Sequence, residues 1–232
     1  MGCTVLIAKC DDFPRVVHYE YDDPPDEAGG AVDFRLIYNG VLPSQSDSNS
    51  RIKQKNEIRR KIHLQLRELW SVHPALRGLR DADPQAPISL TGLADRFKRT
   101  NVNDHIYRFA PLIGAEVGTA CSLDILFLRR DGPGQLVVDG GDIDNRIKVL
   151  LDGLRMPHGK PEMSTDPPKA DEDPFLCLLE DDKYVTDLRI STDRLLPPLE
   201  PGEKPHDVSL IIRVKTSVFD RQKAFPWILE MI

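Results

Sequence analysis

The spacing of hydrophobic and polar positions along the chain predicts strands and helices in mixed order. From Val32 to Tyr38 the residues alternate, with Phe34 and Leu36 on the apolar face, as in a half-buried strand. The same alternation, or a short apolar run, predicts further strands at Ile106–Ile113, Ala120–Leu128, Tyr184–Ile190 and His206–Val214.

In three other segments the spacing of apolar residues or the capping signals predict a helix. The segment from Arg51 to Trp70 places one apolar stripe on a basic helix, formed by Ile58, Ile62, Leu66, Leu69 and Trp70. A short helix is predicted from Ser89 to Lys98, and a third helix begins near Asp142. Strands and helices in this order predict an α+β fold, in which a mixed β-sheet packs against helices.

Composition divides the chain into a core and its extensions. Residues 1–31 are acidic and contain Pro and Gly near their end, so we expect an N-terminal extension that is partly disordered. Residues 32–218 form the predicted core domain, residues 156–179 a proline-rich loop insertion, and residues 219–232 an apolar C-terminal tail. The length of 232 residues fits this organisation, with one domain plus extensions.

The third helix carries the chemistry of the sequence. It follows Gly140-Gly141 and presents an apolar stripe of Ile147, Leu150, Leu151 and Leu154. Beside that stripe, Asp144, Lys148 and Asp152 recur every four residues and form a polar one. Asp142 or its neighbour can cap the helix start, where carboxylates are favoured. Two carboxylates at the start of a helix are thus followed, one turn later, by a lysine.

A second acidic cluster lies farther along the chain, at Glu180-Asp181-Asp182. If these carboxylates converge with Asp142 and Asp144, they form a hard-oxygen site that suits Mg²⁺ or Mn²⁺. The alternative interpretation is that both acidic segments are solvated turns and helix caps. Spacing alone leaves both interpretations open.

The charge distribution suits a protein that binds phosphates at one place and cations at another. The net charge is −6, of which residues 1–30 contribute −5 and the remainder −1. Residues 51–99 alone carry +7. Basic residues can release counterions from nucleic acid, although such helices are also often plain solvated faces. The predicted DNA contacts are Lys53, Lys55, Arg59, Arg60, Lys98, Arg99 and Arg146.

Several protein classes are disfavoured by the sequence. No run of apolar residues is long enough for a membrane span, and the N-terminus lacks the features of a signal peptide and the Ser or Thr that myristoylation requires. A cytoplasmic location is therefore the default expectation. The four cysteines lack C-x-x-C spacing, so neither a zinc site nor a disulfide framework is predicted. Cys121 and Cys177 are expected to be buried as small hydrophobic residues.

The two acidic segments together resemble the signature of the RusA-like Holliday-junction resolvases (crossover junction endodeoxyribonucleases). Asp142-Ile-Asp144-Asn-x-x-Lys148-x-x-x-Asp152 is similar to the D-x-D-N-x-x-K-x-x-x-D motif of that family. The later Asp181-Asp182 with Val185 is similar to its D-D-x-x-V motif. The spacer is a departure, because about 25 residues separate Leu154 from Asp181, whereas the family has a short spacer.

The resemblance implies a RusA-like fold and a dimeric, Mg²⁺-dependent endonuclease that hydrolyses branched DNA, such as the four-way junction, in recombination and repair. Mn²⁺ is a possible substitute for Mg²⁺. By position, Asp142, Asp144 and Asp182 match the catalytic, metal-binding carboxylates, and Lys148 matches the active-site lysine. Asp181 is expected to be a further ligand or an outer partner.

The residue Asp152 is expected to hold Lys148 or a helix neighbour rather than to bind metal. Lys148 is expected to orient water or to stabilise the charged transition state. Two other functions stay open at this point. One is a non-catalytic DNA-binding protein that keeps the fold, and the other is a nuclease for flap or fork DNA.

Overall fold

The computed structural model describes residues 32–42, 48–83, 89–130, 143–196 and 207–220. Within these ranges the helices are α1 Ser48–Val72, α2 Pro74–Arg80, α3 Leu90–Arg96 and α4 Ile143–Leu154. The strands there are β1 Asp33–Val41, β2 Lys98–Thr100, β3 Ile106–Ile113, β4 Thr119–Arg129, β5 Phe175–Leu179, β6 Val185–Arg194 and β7 Asp207–Val218. Short 3₁₀ helices occupy Lys160–Glu162 and Asp182–Tyr184. The protein has an α+β fold, as the sequence predicts.

The larger sheet has the strand order β1-β7-β4-β6. Strand β7 pairs antiparallel with both β1 and β4, whereas β6 pairs parallel with β4. Parallel neighbours need a crossover connection, and the chain between β4 and β6 provides one that includes helix α4. The smaller sheet has the order β2-β3-β5, with β3 and β5 parallel.

Strand β5 corrects the prediction that residues 156–179 form a loop insertion. All five of its residues are buried, and it pairs with β3 from Phe109 to Ile113. A short continuous apolar run is typical of a strand that is covered on both faces. The end of the predicted insertion therefore belongs to the core, and only the segment before Phe175 is an irregular connection.

The long helix α1 packs its predicted stripe into the core. Its five apolar residues are at most 2% exposed, among them Trp70. Gln65 on the same helix reaches the outer edge of β1, where its side chain accepts a hydrogen bond from the Ile37 amide and donates one to the Ile37 carbonyl. The Lys61 ammonium donates to the Asn39 carbonyl nearby. Helix α1 thus covers the edge of the sheet that β1 forms.

Other predictions are confirmed, missed or outside the described ranges. Cys121 and Cys177 are buried, and burial raises the pKa of each thiol to about 12. The sequence prediction missed α2 and β2, both of which it assigned to irregular segments or to the neighbouring helix. The N-terminal extension and most of the C-terminal tail lie outside the described residues.

Candidate active site

The start of α4 exposes one carboxylate and one ammonium group. The helix begins at Ile143, so that Asp144 lies in its first turn. Asp144 and Lys148 are exposed, one turn apart, while Ile147 and Leu150 turn into the core. The helix predicted from the D-x-D-N motif is therefore present, with its apolar and polar stripes on the expected faces. Asp142 lies outside the described residues.

At the other end of α4, Asp152 belongs to a network of ion pairs. Its carboxylate contacts the Lys55 ammonium at 2.7 Å and the Arg155 guanidinium at 2.6 Å. Arg155 also pairs with Glu162 at 2.8 Å. Asp152 thus holds Arg155, the residue directly after its helix, and Lys55 on α1, and these contacts give it a structural role.

The same network stabilises the ionised form of Glu162. Burial opposes the charged form, but the hydrogen bonds from Arg155 and from the His158 amide outweigh it and lower the pKa of Glu162 to about 2. The sequence carried no separate signal for Glu162, because a glutamate in a proline-rich loop is most often solvated.

Arg59 supports the same end of the helix from α1. Its guanidinium donates to the carbonyl oxygens of Asp152 and Arg155 at 2.8 and 2.9 Å, and to the Asn56 side chain at 2.7 Å. The last carbonyl groups of a helix have no partner within it, so Arg59 caps α4. Burial lowers the pKa of this guanidinium, and only 2% of the residue is exposed. This corrects the prediction that Arg59 contacts DNA, because a phosphate cannot reach it.

The second acidic motif forms a corner between β5 and β6, which we call the acidic corner (Glu180–Asp182). The Asp181 carboxylate accepts a hydrogen bond from the Lys183 amide and lies 3.0 Å from His158 Nε2. Burial opposes ionisation of Asp181, but the Lys183 amide and charge, together with His158, outweigh it and lower the pKa of Asp181. Asp182 is exposed, and Glu180 accepts from the Ala115 amide.

The start of α4 is attached to one end of the larger sheet. Arg146 donates from Nη1 to the carbonyl oxygen of Leu42, the residue that follows β1. The last residue of β1, Val41, pairs with Asp207, the first residue of β7. Asp144 therefore lies at the end of the sheet where β7 begins.

The acidic corner is attached to the opposite end of the same sheet. It leads directly into Val185, which pairs with Cys121 near the start of β4. Cys121 in turn pairs with Thr216 near the end of β7. At about 3.3 Å per residue, the stretch of β7 from Asp207 to Thr216 is about 30 Å long. In one chain, the attachment points of the two acidic motifs are thus separated by nearly the whole length of the sheet.

The predicted metal ligands that the structure describes do not meet at one point in a single chain. Among them, no group of three or more His, Cys, Asp or Glu side chains is close enough to share a metal. A hard divalent cation needs several oxygen ligands at about 2.1 Å, which Asp144 on one side and Asp181-Asp182 on the other cannot supply together. Asp144, Asp181 and Asp182 are therefore not brought together within the described residues of a single chain, and Asp142 lies outside those residues.

The remaining predicted DNA contacts differ in how they are engaged. Lys53 is exposed on α1, and Lys98 is exposed next to Asp95, which it contacts at 3.0 Å. Arg60 pairs with the buried Glu172 at 2.9 Å. The other three cations contact groups of the fold itself. Lys55 pairs with the Asp152 carboxylate, Arg99 donates to the Lys98 carbonyl, and Arg146 donates to the Leu42 carbonyl. Lys53 and Lys98 are the most accessible cations of the predicted set.

Comparison with known proteins adds no relative to this picture. No family model, curated protein or solved structure matches the chain. Within the described ranges, no helix combines the length and the apolar character needed to cross a membrane. The motif and the geometry of the described residues are therefore the basis for a functional proposal.

Proposed function

We propose that this chain is a RusA-like, metal-dependent endodeoxyribonuclease that cuts branched DNA in recombination or repair. The observation that supports it is the start of α4, which begins at Ile143 within the D-x-D-N-x-x-K string and leaves Asp144 and Lys148 exposed one turn apart. The third member of that polar stripe, Asp152, is instead held by Lys55 and Arg155. The stripe thus separates into an accessible pair and a structural residue.

In this proposal, different residues of the chain have different roles in the reaction. Asp144 and the acidic corner supply carboxylate oxygens, while the Lys148 ammonium faces the scissile phosphate and stabilises its developing negative charge. Lys53 and Lys98 attract the DNA backbone, which makes binding weaken as the salt concentration rises. We propose Mg²⁺ as the cofactor, with Mn²⁺ as a substitute.

Nicking of a four-way DNA junction tests the proposal. Wild-type protein with Mg²⁺ is expected to nick the junction, and removal of the ion with a chelator abolishes this. Asp144→Asn, Lys148→Ala and Asp182→Asn are each expected to lower the nicking rate by about 100-fold or more, because each removes a group that acts on the reacting phosphate. Glu68→Gln is the matched control, since Glu68 is an exposed carboxylate on α1, away from both motifs.

A second candidate is a DNA-binding protein that keeps the fold without cutting. The separation of the two acidic motifs in one chain favours this alternative. It predicts that wild-type protein binds the junction in a salt-dependent manner but leaves every strand intact with Mg²⁺ or Mn²⁺. Parallel assays on flap, fork and linear duplex DNA identify the substrate if cutting does occur.

A further inference from the structure

The connection that follows α4 runs beside the acidic corner. The Met156 amide donates to the carbonyl of Leu179 at 2.9 Å, and Leu179 is the residue directly before Glu180. Arg155 forms a parallel β-bridge with the same leucine. The ion-pair network at the end of α4, to which Arg155 belongs, therefore lies next to the second acidic motif.

This network also fixes the backbone of His158. The His158 amide donates to Glu162 Oε2 at 3.0 Å, and the Arg155 guanidinium binds the same oxygen at 2.8 Å. Arg155 is only 4% exposed, so this support belongs to the interior of the fold. The His158 side chain, by contrast, is 53% exposed. A half-exposed imidazole is thus attached to a firmly held point of the backbone.

The His158 imidazole extends to the acidic corner. Its Nε2 lies 3.0 Å from Asp181 Oδ2, and because an ionised carboxylate only accepts hydrogen bonds, Nε2 carries the hydrogen. The other oxygen, Oδ1, accepts from the Lys183 amide at 3.1 Å, and the Asp181 carbonyl accepts from the Tyr184 amide at 3.3 Å. Asp181 therefore caps the 3₁₀ helix that begins at Asp182. Both carboxylate oxygens of Asp181 have partners within the fold, whereas Asp182 is exposed.

We propose that His158 is a positioning residue for the acidic corner. By holding one oxygen of Asp181, it orients the carboxylate whose other oxygen caps the 3₁₀ helix, and it thereby fixes where the exposed Asp182 carboxylate lies. Asp182 acts on the reacting phosphate, while Asp181 and His158 act through it. This assignment rests on the proposed function. Of the two roles expected for Asp181, a further ligand or an outer partner, it selects the second.

Substitutions at His158 test the positioning role in the nicking assay. His158→Ala removes the hydrogen bond and is expected to lower kcat by about 10-fold, because loss of an outer partner typically costs about 10- to 100-fold. KM for the junction is expected to stay unchanged, since the bond does not contribute to substrate binding. His158→Gln places an amide N–H close to the position of Nε2 and is expected to restore most of the rate.

The matched control makes the same substitution at another histidine. His105→Ala leaves the hydrogen bond from the His105 amide to Asn101 Oδ1 in place and is expected to nick like wild type. If His158→Ala nicks as fast as wild type, or if His158→Gln is as slow as His158→Ala, the positioning role is overturned.

Asp181→Asn separates the two aspartates of the corner. Asn caps a helix about as well as Asp, and its amide nitrogen can donate to the other tautomer of His158. The expected loss of nicking is therefore about 3-fold or less. Asp182→Asn is expected to lose about 100-fold or more, because it removes a group that acts on the phosphate. If Asp181→Asn is as inactive as Asp182→Asn, Asp181 acts on the substrate directly and the inference is overturned.

Hydrogen exchange of the Lys183 amide tests the positioning without any cutting. NMR of the full-length protein is expected to show about 10-fold faster exchange of this amide in His158→Ala, because Asp181 is no longer held in place to accept its hydrogen bond. His158→Gln and His105→Ala are expected to exchange like wild type. Unchanged exchange in His158→Ala overturns the positioning role. If exchange responds as expected but wild type does not nick the junction, only the proposed function fails.

Discussion

The two ends of helix α4 use the same kinds of side chain for different purposes. At its end, Asp152 pairs with Lys55 and Arg155, and Arg59 covers the last carbonyl groups. At its start, Asp144 and Lys148 are exposed. Asp144 and Asp152 belong to one motif with four-residue spacing, yet one is exposed and the other is part of an ion-pair network. The motif alone therefore does not determine what a carboxylate in it does. The role of Asp152 is set by Lys55 from α1 and by Arg155 directly after the helix, and its position in the motif does not reveal either contact.

This contrast predicts that the end of α4 contributes far more to stability than its start. Arg155→Met is expected to have the largest effect, a loss of about 4 kcal/mol in the free energy of unfolding, because it leaves the partly buried Glu162 without its main partner and Asp152 with Lys55 alone. Urea unfolding monitored by circular dichroism measures the change. Lys148→Met, an equally long substitution on the exposed face, is the control and is expected to cost less than about 0.5 kcal/mol. Equal losses for the two variants would contradict the contrast.

The pH dependence of stability sharpens the comparison further. The pKa of Glu162 is about 2, below its ordinary value of 4.5, so ionised Glu162 stabilises the fold above pH 4.5. That contribution is lost as the pH falls through 4.5 toward about 2, where the folded protein also takes up the proton. Glu162→Gln is expected to cost about 2 kcal/mol near neutral pH, a value already reduced for partial exposure.

The difference between wild type and Glu162→Gln should then shrink in acid. Urea unfolding of both proteins at several pH values between about 7 and about 3 follows it directly. Glu116→Gln is a suitable control, because Glu116 also pairs with an arginine, Arg96, but in an exposed ion pair. A difference that stays constant with pH would show that the Glu162 charge does not stabilise the fold.

Much of the fold follows from local sequence patterns. The stripes of α1 and α4 and the alternation in β1, β4 and β7 are set by which residues face the core, and the structure confirms them. The information was also present for β5, since Phe175–Leu179 is a short apolar run, but the surrounding prolines suggested a loop. Helix α2 has a comparable signal, with a proline at its first position and Leu76 and Leu79 three residues apart.

The arrangement of the site could not be predicted in the same way. Arg59 resembles the other cations of α1 in sequence, and only its contact with the carbonyl groups of α4 makes it a buried structural residue. The position of Asp182 depends on β5 running parallel to β3, which is a long-range pairing that no local pattern encodes. The contact between His158 and Asp181 depends on the same pairing. Motif spacing therefore predicted candidate residues but not the distances between them.

The smallest effect on stability is expected at the start of α4. Asp144 lies in the first turn, where a carboxylate gains about 0.3–1 kcal/mol from the unpaired amides of the helix start. Asp144→Asn keeps a side chain of the same size, so the expected loss is about 0.5 kcal/mol or less, measured in the same urea assay as Arg155→Met. Asp152→Asn is the matched comparison. It makes the same chemical change at another carboxylate of the same polar stripe, one that two cations hold. If Asp144→Asn destabilised the protein as strongly as Asp152→Asn, the carboxylate at the helix start would be structural too. A loss of nicking in that variant would then no longer identify a residue that acts on DNA.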